Sequence, residues 1–205
     1  MMHQAIIGGI CAAITLWLGP VGFAEDRSIF RIEEDWELRI NDPDPANFSP
    51  QITLFVSPSV NSEVDYFQVQ LNYSADSEFS GGGFDVAAVR GGDVADEVRS
   101  VTSQALSESN DEIRWTNVMV VVNEKLLFAV KNGSSQVWGE FGGPEYLVEI
   151  PEAAYPDLAE YHPQQTLDTV DIGFGANRVD SLTLVRVRVY YTDGKVTTVP
   201  VNRQP

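Results

Sequence analysis

The stretch "IFRIEEDWELRI", residues 29–40, alternates between two kinds of side chain from Arg31 onward. Successive side chains of a β-strand point to opposite sides, so this alternation predicts a half-buried strand. The next ten residues, "NDPDPANFSP" (41–50), form a loop of Pro, Asp and Asn that cannot continue the strand. One face of the predicted strand carries Ile32, Glu34, Trp36, Leu38 and Ile40, and the other carries Arg31, Glu33, Asp35, Glu37 and Arg39.

The same kind of pattern recurs along the chain at short intervals, with turn signals between the strands. Such spacing is typical of an antiparallel sandwich and not of alternating β and α units. Only residues 93–106 differ, because Val94, Val98, Val101 and Ala105 have approximate helical spacing and predict a helix. The other predicted strands cover residues 51–57, 65–73, 84–89, 113–122, 125–130, 135–141, 146–151, 169–174, 182–191 and 195–201.

Two dipeptides, Asn132-Gly133 and Asp193-Gly194, favour tight hairpin turns, because both central positions of such a turn prefer positive φ. Pairing across Asn132-Gly133 would place Lys125 opposite Glu140 and Leu127 opposite Trp138. This register predicts that Glu140 is a cross-strand partner of Lys125 and that Trp138 lies on a mixed face of the sheet.

Residues 118–143, "VMVVVNEKLLFAVKNGSSQVWGEFGG", and 171–194, "DIGFGANRVDSLTLVRVRVYYTDG", together resemble the hairpins and closing strand of concanavalin A-like and laminin-G-like domains. The resemblance covers roughly the C-terminal half of the chain. It implies an all-β, antiparallel β-sandwich of jelly-roll type with its N- and C-terminal strands adjacent. It implies no particular activity, because that fold hosts lectins, glycosidases and adhesion modules.

The N-terminal stretch Met1–Ala24 contains no Lys, Arg, Asp or Glu and ends in small residues. This predicts a signal peptide (1–24) that is removed to leave one β-sandwich domain (25–205), secreted, on the cell surface or in a periplasm. The alternative is an uncleaved membrane anchor, since the apolar run is long enough to span a bilayer. Cys11, the only cysteine, lies in this stretch, so the cleaved chain could form no disulfide and no Cys-ligated metal site.

The formal net charge of −17 argues against nucleic acid as a partner, because phosphate binding requires clustered Lys and Arg. Calcium, cationic polymers and neutral glycans remain compatible, and the charge could equally serve only solubility. Outside the leader His162 is the sole histidine, in "EYHPQQ" (160–165), which predicts a surface loop and excludes a multi-histidine metal site.

Two carboxyls about 5 to 5.5 Å apart are needed for retaining glycoside hydrolysis. Glucanases of the concanavalin A-like type carry a Glu-x-Asp-x-x-Glu pattern. Glu33 and Asp35 match its first two acids, but Leu38 stands where the third belongs. We therefore expect Glu33, Asp35 and Glu37 to form a charged solvent face that blunts an edge strand.

The acidic loop "NDPDPAN" (41–47) is a candidate calcium site, because calcium prefers carboxylate and amide oxygens. Its candidate ligands are Asn41, Asp42, Asp44 and Asn47. The alternative is that these residues are ordinary turn formers.

Exposed aromatic rings matter for a glycan site, since apolar sugar faces stack on them while polar neighbours bind hydroxyls. We expect Trp36 and Trp115 in the core, whereas Trp138 could be covered either by a ligand or by a loop such as 142–165. The candidate ligand-binding residues are Gln136, Trp138 and Glu140, with Tyr146, Tyr155 and Tyr161 of the long connection 142–165.

The sequence thus favours a secreted, non-catalytic module that binds a glycan, a cell-surface polymer or another extracellular ligand. A structural or assembly protein of the cell surface or matrix is the second hypothesis, and a glycoside hydrolase the third.

Overall fold

The computed structural model describes residues 27–42, 50–60, 65–72, 84–99, 109–136, 139–173 and 175–205. The predicted leader, two of the candidate calcium ligands (Asp44 and Asn47) and Trp138 lie outside these ranges. No helix within the ranges is long and apolar enough to cross a membrane.

The chain is an all-β antiparallel sandwich, as predicted, made of two sheets. A larger, seven-stranded sheet has the order β12-β11-β1-β6-β7-β8, with β9 also pairing with β7, and a smaller, five-stranded sheet has the order β10-β2-β3-β4-β5. The one α-helix described is α1 (Pro163–Asp168). The strands are β1 (Ile29–Ile40), β2 (Ile52–Val56), β3 (Asp65–Leu71), β4 (Phe84–Arg90), β5 (Asp93–Arg99), β6 (Glu112–Val122), β7 (Lys125–Ser135), β8 (Gly139–Phe141), β9 (Leu147–Ile150), β10 (Asp171–Ile172), β11 (Val179–Tyr191) and β12 (Val196–Arg203).

Strand β1 lies in the middle of the larger sheet, between β11 and β6. The expectation of an edge strand is therefore wrong. Alternation is the same for an edge strand and a central one, and it could not show that two further strands bring side chains to the carboxylates of β1. The pairing of β1 with β11 also places strands from near the two ends of the described chain side by side.

The core lies between the two sheets and contains the inward side chains of the alternating pattern. Trp36 and Trp115 are both buried, as predicted, with ring centroids 6.2 Å apart and nearly parallel planes. Phe67 of the smaller sheet stacks on Phe128 of the larger sheet at 4.8 Å. Burying a side chain of this size contributes roughly 1.5 to 3 kcal/mol, so these rings anchor the two sheets to each other.

Strand β7 continues through Asn132-Gly133 without reversing, so the hairpin predicted there is wrong. Asn132 has a φ of 53°, and the register with β6 shifts between Lys131 and Ser134. These are the features of a β-bulge, which uses the same left-handed conformation that a tight turn would. The chain reverses instead between Ser135 and Gly139, which face each other across β7 and β8.

Lys125 therefore does not face Glu140. The turn before β7 is Asn123-Glu124, with φ values of 49° and 60°. Lys125 Nζ lies 3.0 Å from a carboxylate oxygen of Glu149 on β9, and Glu140 pairs with Ser134. The other predicted turn, at Asp193-Gly194, does connect β11 to β12, with Gly194 at a φ of 82°.

Two further local expectations are also wrong. Residues 93–99 of the predicted helix form strand β5, paired with β4, and residues 100–106 lie outside the described ranges. A spacing of four residues fits a strand as well as a helix, so pairing with β4 decides the structure. His162 is exposed at the surface, as predicted, but the residues after it form α1 and not a loop, and its Nδ1 caps that helix by accepting a hydrogen bond from the backbone N–H of Gln164.

Candidate functional site

The outward face of β1 carries three carboxylates, and each is opposite a polar side chain of a neighbouring strand. Glu33 is opposite Arg188 of β11. Asp35 lies between Arg186 of β11 and Thr116 of β6, and Glu37 is opposite Arg114 of β6. Since side chains directly opposite in an antiparallel pair share a face, these groups meet on the outer face of the larger sheet.

Asp35 is the most heavily bonded of the three carboxylates. Arg188 binds it with two nitrogens, at 2.7 and 2.8 Å. The Nε of Arg186 donates to Oδ2 at 2.5 Å, and the hydroxyl of Thr116 donates to Oδ1 at 2.8 Å. Each oxygen of Asp35 thus accepts two hydrogen bonds, and such charge-assisted pairs hold their geometry tightly.

Glu33 is buried, and it remains ionised because of its partners. Burial alone would raise its pKa, but hydrogen bonds from Tyr190 and Arg188, together with the charges of Arg31 and Arg188, hold the pKa below its ordinary value. The Tyr190 hydroxyl donates at 2.8 Å and Arg188 Nε at 2.6 Å. Burial would lower the pKa of Arg188, but its bonds and charge interactions with Glu33 and Asp35 raise it.

A cleft of about 440 Å³ opens above these residues, and we call it the charged cleft. Arg114 and Arg186 stand on its two sides, with 57% and 51% of their side chains exposed. Arg114 also pairs with Glu37 at 3.2 Å. The cleft is lined by Asp35, Trp36, Glu37, Arg114, Trp115, Thr116, Asn132, Val185, Arg186 and Arg188.

The charged cleft is suited to hydrogen bonding and poorly suited to acid–base chemistry. A general acid needs a pKa near the working pH, whereas Glu33 is held ionised and Asp35 has both oxygens occupied. No described residue binds the terminal nitrogens of Arg186, and the amide of Asn132 lies at the same cleft. Because these groups stand on paired strands, they are held in fixed positions.

A fourth carboxylate of β1, Glu34, lies on the inward side of the strand and is almost fully buried. Its Oε1 accepts hydrogen bonds from the hydroxyls of Tyr161 at 2.7 Å and Thr166 at 2.8 Å. Its Oε2 accepts from Trp36 Nε1 at 3.0 Å and Asn117 Nδ2 at 3.1 Å. Burial, then the charge of Glu34, raises the pKa of Tyr161 well above 10.0. This cluster ties the segment around α1 to the larger sheet.

Glu140, one of the predicted ligand-binding residues, lies on the same outer face as the charged cleft. It is exposed on β8 opposite Ser134, which is itself opposite Arg114, so the three share one row of the outer face. A cavity of about 430 Å³ beside Glu140 also contains Asn132, which the charged cleft shares. Gln136 lies at the same end, where its side chain donates to the carbonyl of Asn110 at 3.4 Å.

The three predicted tyrosines are not part of that surface. Tyr146 is buried against Phe84, with ring centroids 6.0 Å apart. Tyr155 lies at the opposite end of the sandwich, where its hydroxyl is 3.3 Å from Asp65 Oδ2. The hydroxyl of Tyr161 binds the buried Glu34. The five predicted residues that the structure describes therefore do not form one site.

The candidate calcium loop is only partly described. The backbone N–H of Asn41 donates to the carbonyl of Arg178 at 3.0 Å, and a nitrogen of Arg178 lies 3.8 Å from the Asp42 carboxylate. A guanidinium at this position competes with a metal cation for the same carboxylate. In the ranges that the structure describes, no group of three or more His, Cys, Asp or Glu residues is arranged to hold a metal ion.

An apolar groove of about 360 Å³ continues the outer face beyond the charged cleft. Its aliphatic walls come from β6, β7 and β9, and Leu147 is 46% exposed. The groove is lined by Val118, Val120, Leu127, Phe128, Ala129, Lys131, Gly143, Pro144 and Leu147.

The fold and the charged cleft define the chain as an all-β antiparallel sandwich with a polar cleft on the outer face of one sheet. No protein-family model matches the chain, and no curated protein sequence matches it.

Sequence reasoning missed Arg114, Thr116, Arg186 and Arg188 as site residues. One signal was present, because "RVRV" (186–189) alternates and places both arginines on the same face of its strand. What the sequence could not show is that this face adjoins the carboxylates of β1.

Proposed function

We propose that the protein is a secreted, non-catalytic module that binds a glycan in the charged cleft. The observation that carries this proposal is the cleft itself. It is open, has a volume within the range of ligand sites, and is surrounded by arginine, threonine and asparagine side chains on neighbouring strands. Sugar hydroxyls both donate and accept hydrogen bonds, and this mixture of groups complements them.

A binding role also agrees with the state of the carboxylates. Both oxygens of Asp35 accept hydrogen bonds from Arg186, Arg188 and Thr116. Such a carboxylate serves as a fixed support for the arginines above it, so a glycoside hydrolase is the less favoured reading of the same residues.

We propose further that the sandwich is a concanavalin A-like jelly roll and that the protein is secreted or displayed at the cell surface. The adjacent β1 and β11 and the two packed antiparallel sheets support a concanavalin A-like jelly roll. Secretion or display at the cell surface is supported by the apolar, uncharged stretch at residues 1–24, with retention in the membrane as the outcome if that stretch is not cleaved.

The test is a glycan array probed with the mature chain, residues 25–205, in calcium and again in a chelator. Three variants are compared with the wild type: the cleft variant Arg114→Ala/Arg186→Ala, the predicted surface variant Trp138→Ala, and the control Arg203→Ala/Lys195→Ala. The control removes the same charge from exposed positions outside the cleft.

We expect the wild type and the control to bind the same glycans and the cleft variant to lose them. Failure of the wild type to bind any glycan in either buffer contradicts the proposal. Unchanged binding by the cleft variant would also contradict it, since the ligand would then bind elsewhere. Loss of binding in chelator alone would show that binding requires a metal ion.

The apolar groove favours a second candidate function, a structural or assembly protein. Its aliphatic lining includes the exposed Leu147 and the half-buried Val120 and Leu127, and larger apolar patches of this kind mark surfaces that another protein covers. Sedimentation velocity over a range of concentrations tests this, with Leu147→Glu as the variant. Assembly that disappears in the variant supports the second function, and a monomer at every concentration contradicts self-assembly.

A further inference from the structure

We propose that the glycan bound in the charged cleft is acidic, and that its anionic group binds the free end of the Arg186 guanidinium. This inference rests on the proposed glycan binding and names the class of glycan. It depends on which nitrogens of Arg114, Arg186 and Arg188 already bind carboxylates and which have no partner among the described residues.

The two terminal nitrogens of the Arg186 guanidinium form a fork that a ligand can bind. Its Nε is fixed by Asp35 Oδ2 at 2.5 Å, while neither terminal nitrogen has a hydrogen-bond partner among the described residues. The bond to Asp35 holds the guanidinium in one orientation, and about half of the side chain is exposed to the cleft. Two parallel N–H groups in a fixed plane match the two oxygens of a carboxylate.

Arg188, the neighbour of Arg186 on β11, has the opposite role. Its Nε and both terminal nitrogens bind Glu33 and Asp35, so three of its five N–H groups are already used. Together with Arg31 and Arg186, Arg188 offsets the negative charge of these carboxylates, which would otherwise repel an acidic ligand. Arg186 is the better placed of the two to bind an acidic ligand, because its side chain is about half exposed and only its Nε is bonded to a described residue.

Arg114 supplies a second positive charge on the opposite side. It stands on β6, two strands away from Arg186, so the two backbones are separated by roughly 10 Å across the sheet. Its Nε and one terminal nitrogen bind Glu37 and Glu112, which leaves the other terminal nitrogen without a partner among the described residues. An acidic glycan in the cleft would thus lie between two guanidinium groups.

The overall charge of −17 does not prevent this binding. Charges separated by more than about 8 Å of solvent are largely screened at physiological salt. A contact with Arg186 is much shorter than that distance. The negative surface therefore slows the approach of acidic polymers in general, whereas the cleft stabilises one that fits.

The experiment compares three probes by isothermal titration calorimetry with the mature chain. They are trigalacturonate, its fully methyl-esterified form, and a sulfated heparin trisaccharide. The ester keeps the sugar rings and removes the charge. The variants are Arg186→Gln, which removes the fork and the charge, Arg186→Lys, which keeps the charge, and the control Arg203→Gln. Arg203 stands on the adjacent strand, where it donates to Gln164 at 3.0 Å and does not line the cleft.

We expect the wild type to bind trigalacturonate at least about tenfold more tightly than its ester, the difference made by one charge-assisted pair. Arg186→Gln should remove that preference, Arg186→Lys should retain part of it, and Arg203→Gln should retain all of it. If the sulfated probe binds more tightly than trigalacturonate and needs Arg186, sulfate is the acidic group, which supports the inference.

Equal affinity for the acid and the ester overturns the inference. Suppose the acid and the ester bind equally but Arg114→Ala/Arg186→Ala weakens the binding of both. Glycan binding in the cleft is then supported, and only the preference for an acidic glycan is refuted. If no array glycan and none of the three probes binds the wild type, the proposed function fails together with the inference. Circular dichroism of each variant separates lost binding from lost folding.

Discussion

Replacing Glu34 by alanine tests the buried cluster that joins β1 to the segment around α1. The carboxylate accepts four hydrogen bonds, from Trp36, Asn117, Tyr161 and Thr166. Two of these donor groups cannot rotate or flip to act as acceptors instead. The indole N–H of Trp36 can only donate, and the Asn117 amide cannot flip because its oxygen accepts from Trp115 Nε1 at 3.0 Å.

The expected cost follows from those two donors. An unsatisfied buried donor costs about 1 to 3 kcal/mol, so Glu34→Ala should lower the free energy of unfolding by about 2 to 6 kcal/mol. That is a large part of the roughly 5 to 15 kcal/mol by which a domain is stable. In Glu34→Gln the amide oxygen still accepts from Trp36 and Asn117, and the hydroxyls of Tyr161 and Thr166 can rotate to accept from its NH₂. We expect that variant to cost no more than about 2 kcal/mol.

The assay is urea unfolding followed by tryptophan fluorescence, with both variants fitted at an unchanged m-value. The control is Glu149→Ala, which removes an exposed carboxylate paired with Lys125 at 3.0 Å and should change stability by less than about 1 kcal/mol. The reasoning is refuted if Glu34→Ala costs under about 1 kcal/mol, or if Glu34→Gln costs as much as Glu34→Ala.

Two further predictions concern the bulge in β7 and the buried tyrosine. In Gly133→Ala the new Cβ would collide with the Phe141 ring, so the variant should lose about 1 to 3 kcal/mol. In a double-mutant cycle, Phe141→Ala should relieve part of this loss, and strict additivity in urea unfolding would contradict the β7–β8 pairing. For Tyr161, whose pKa is raised in the folded state, the stabilising effect is complete below its unfolded pKa of about 10 and is lost as pH rises above it. Wild type should therefore lose more stability than Tyr161→Phe between about pH 9.5 and 11, and parallel pH profiles would count against this.

Much of the fold could be predicted from local pattern. Alternation located nearly every strand, and it separated the inward Trp36 and Trp115 from the outward acids of β1. The errors arose where one local signal serves two structures. Asn132 supplies a left-handed φ to a bulge as readily as to a turn, and the spacing of Val94 and Val98 fits both a helix and a strand.

The candidate site was predictable only in part. The acids Glu33, Asp35 and Glu37 were recognised as one charged face, and Glu140 does lie on the outer face of the larger sheet. The arginines that define the charged cleft were missed, because the pattern of β11 carries no information about which strand is its neighbour.

By itself the sequence determined that this chain forms antiparallel strands with one buried face, because alternation is a property of residues two apart. The tertiary structure alone decided that β1 is central and that Arg186 meets Asp35, a residue 151 positions earlier in the chain. That meeting depends on how the whole sandwich closes around its core, since strand order follows from the packing of both sheets and not from the pattern of any one strand.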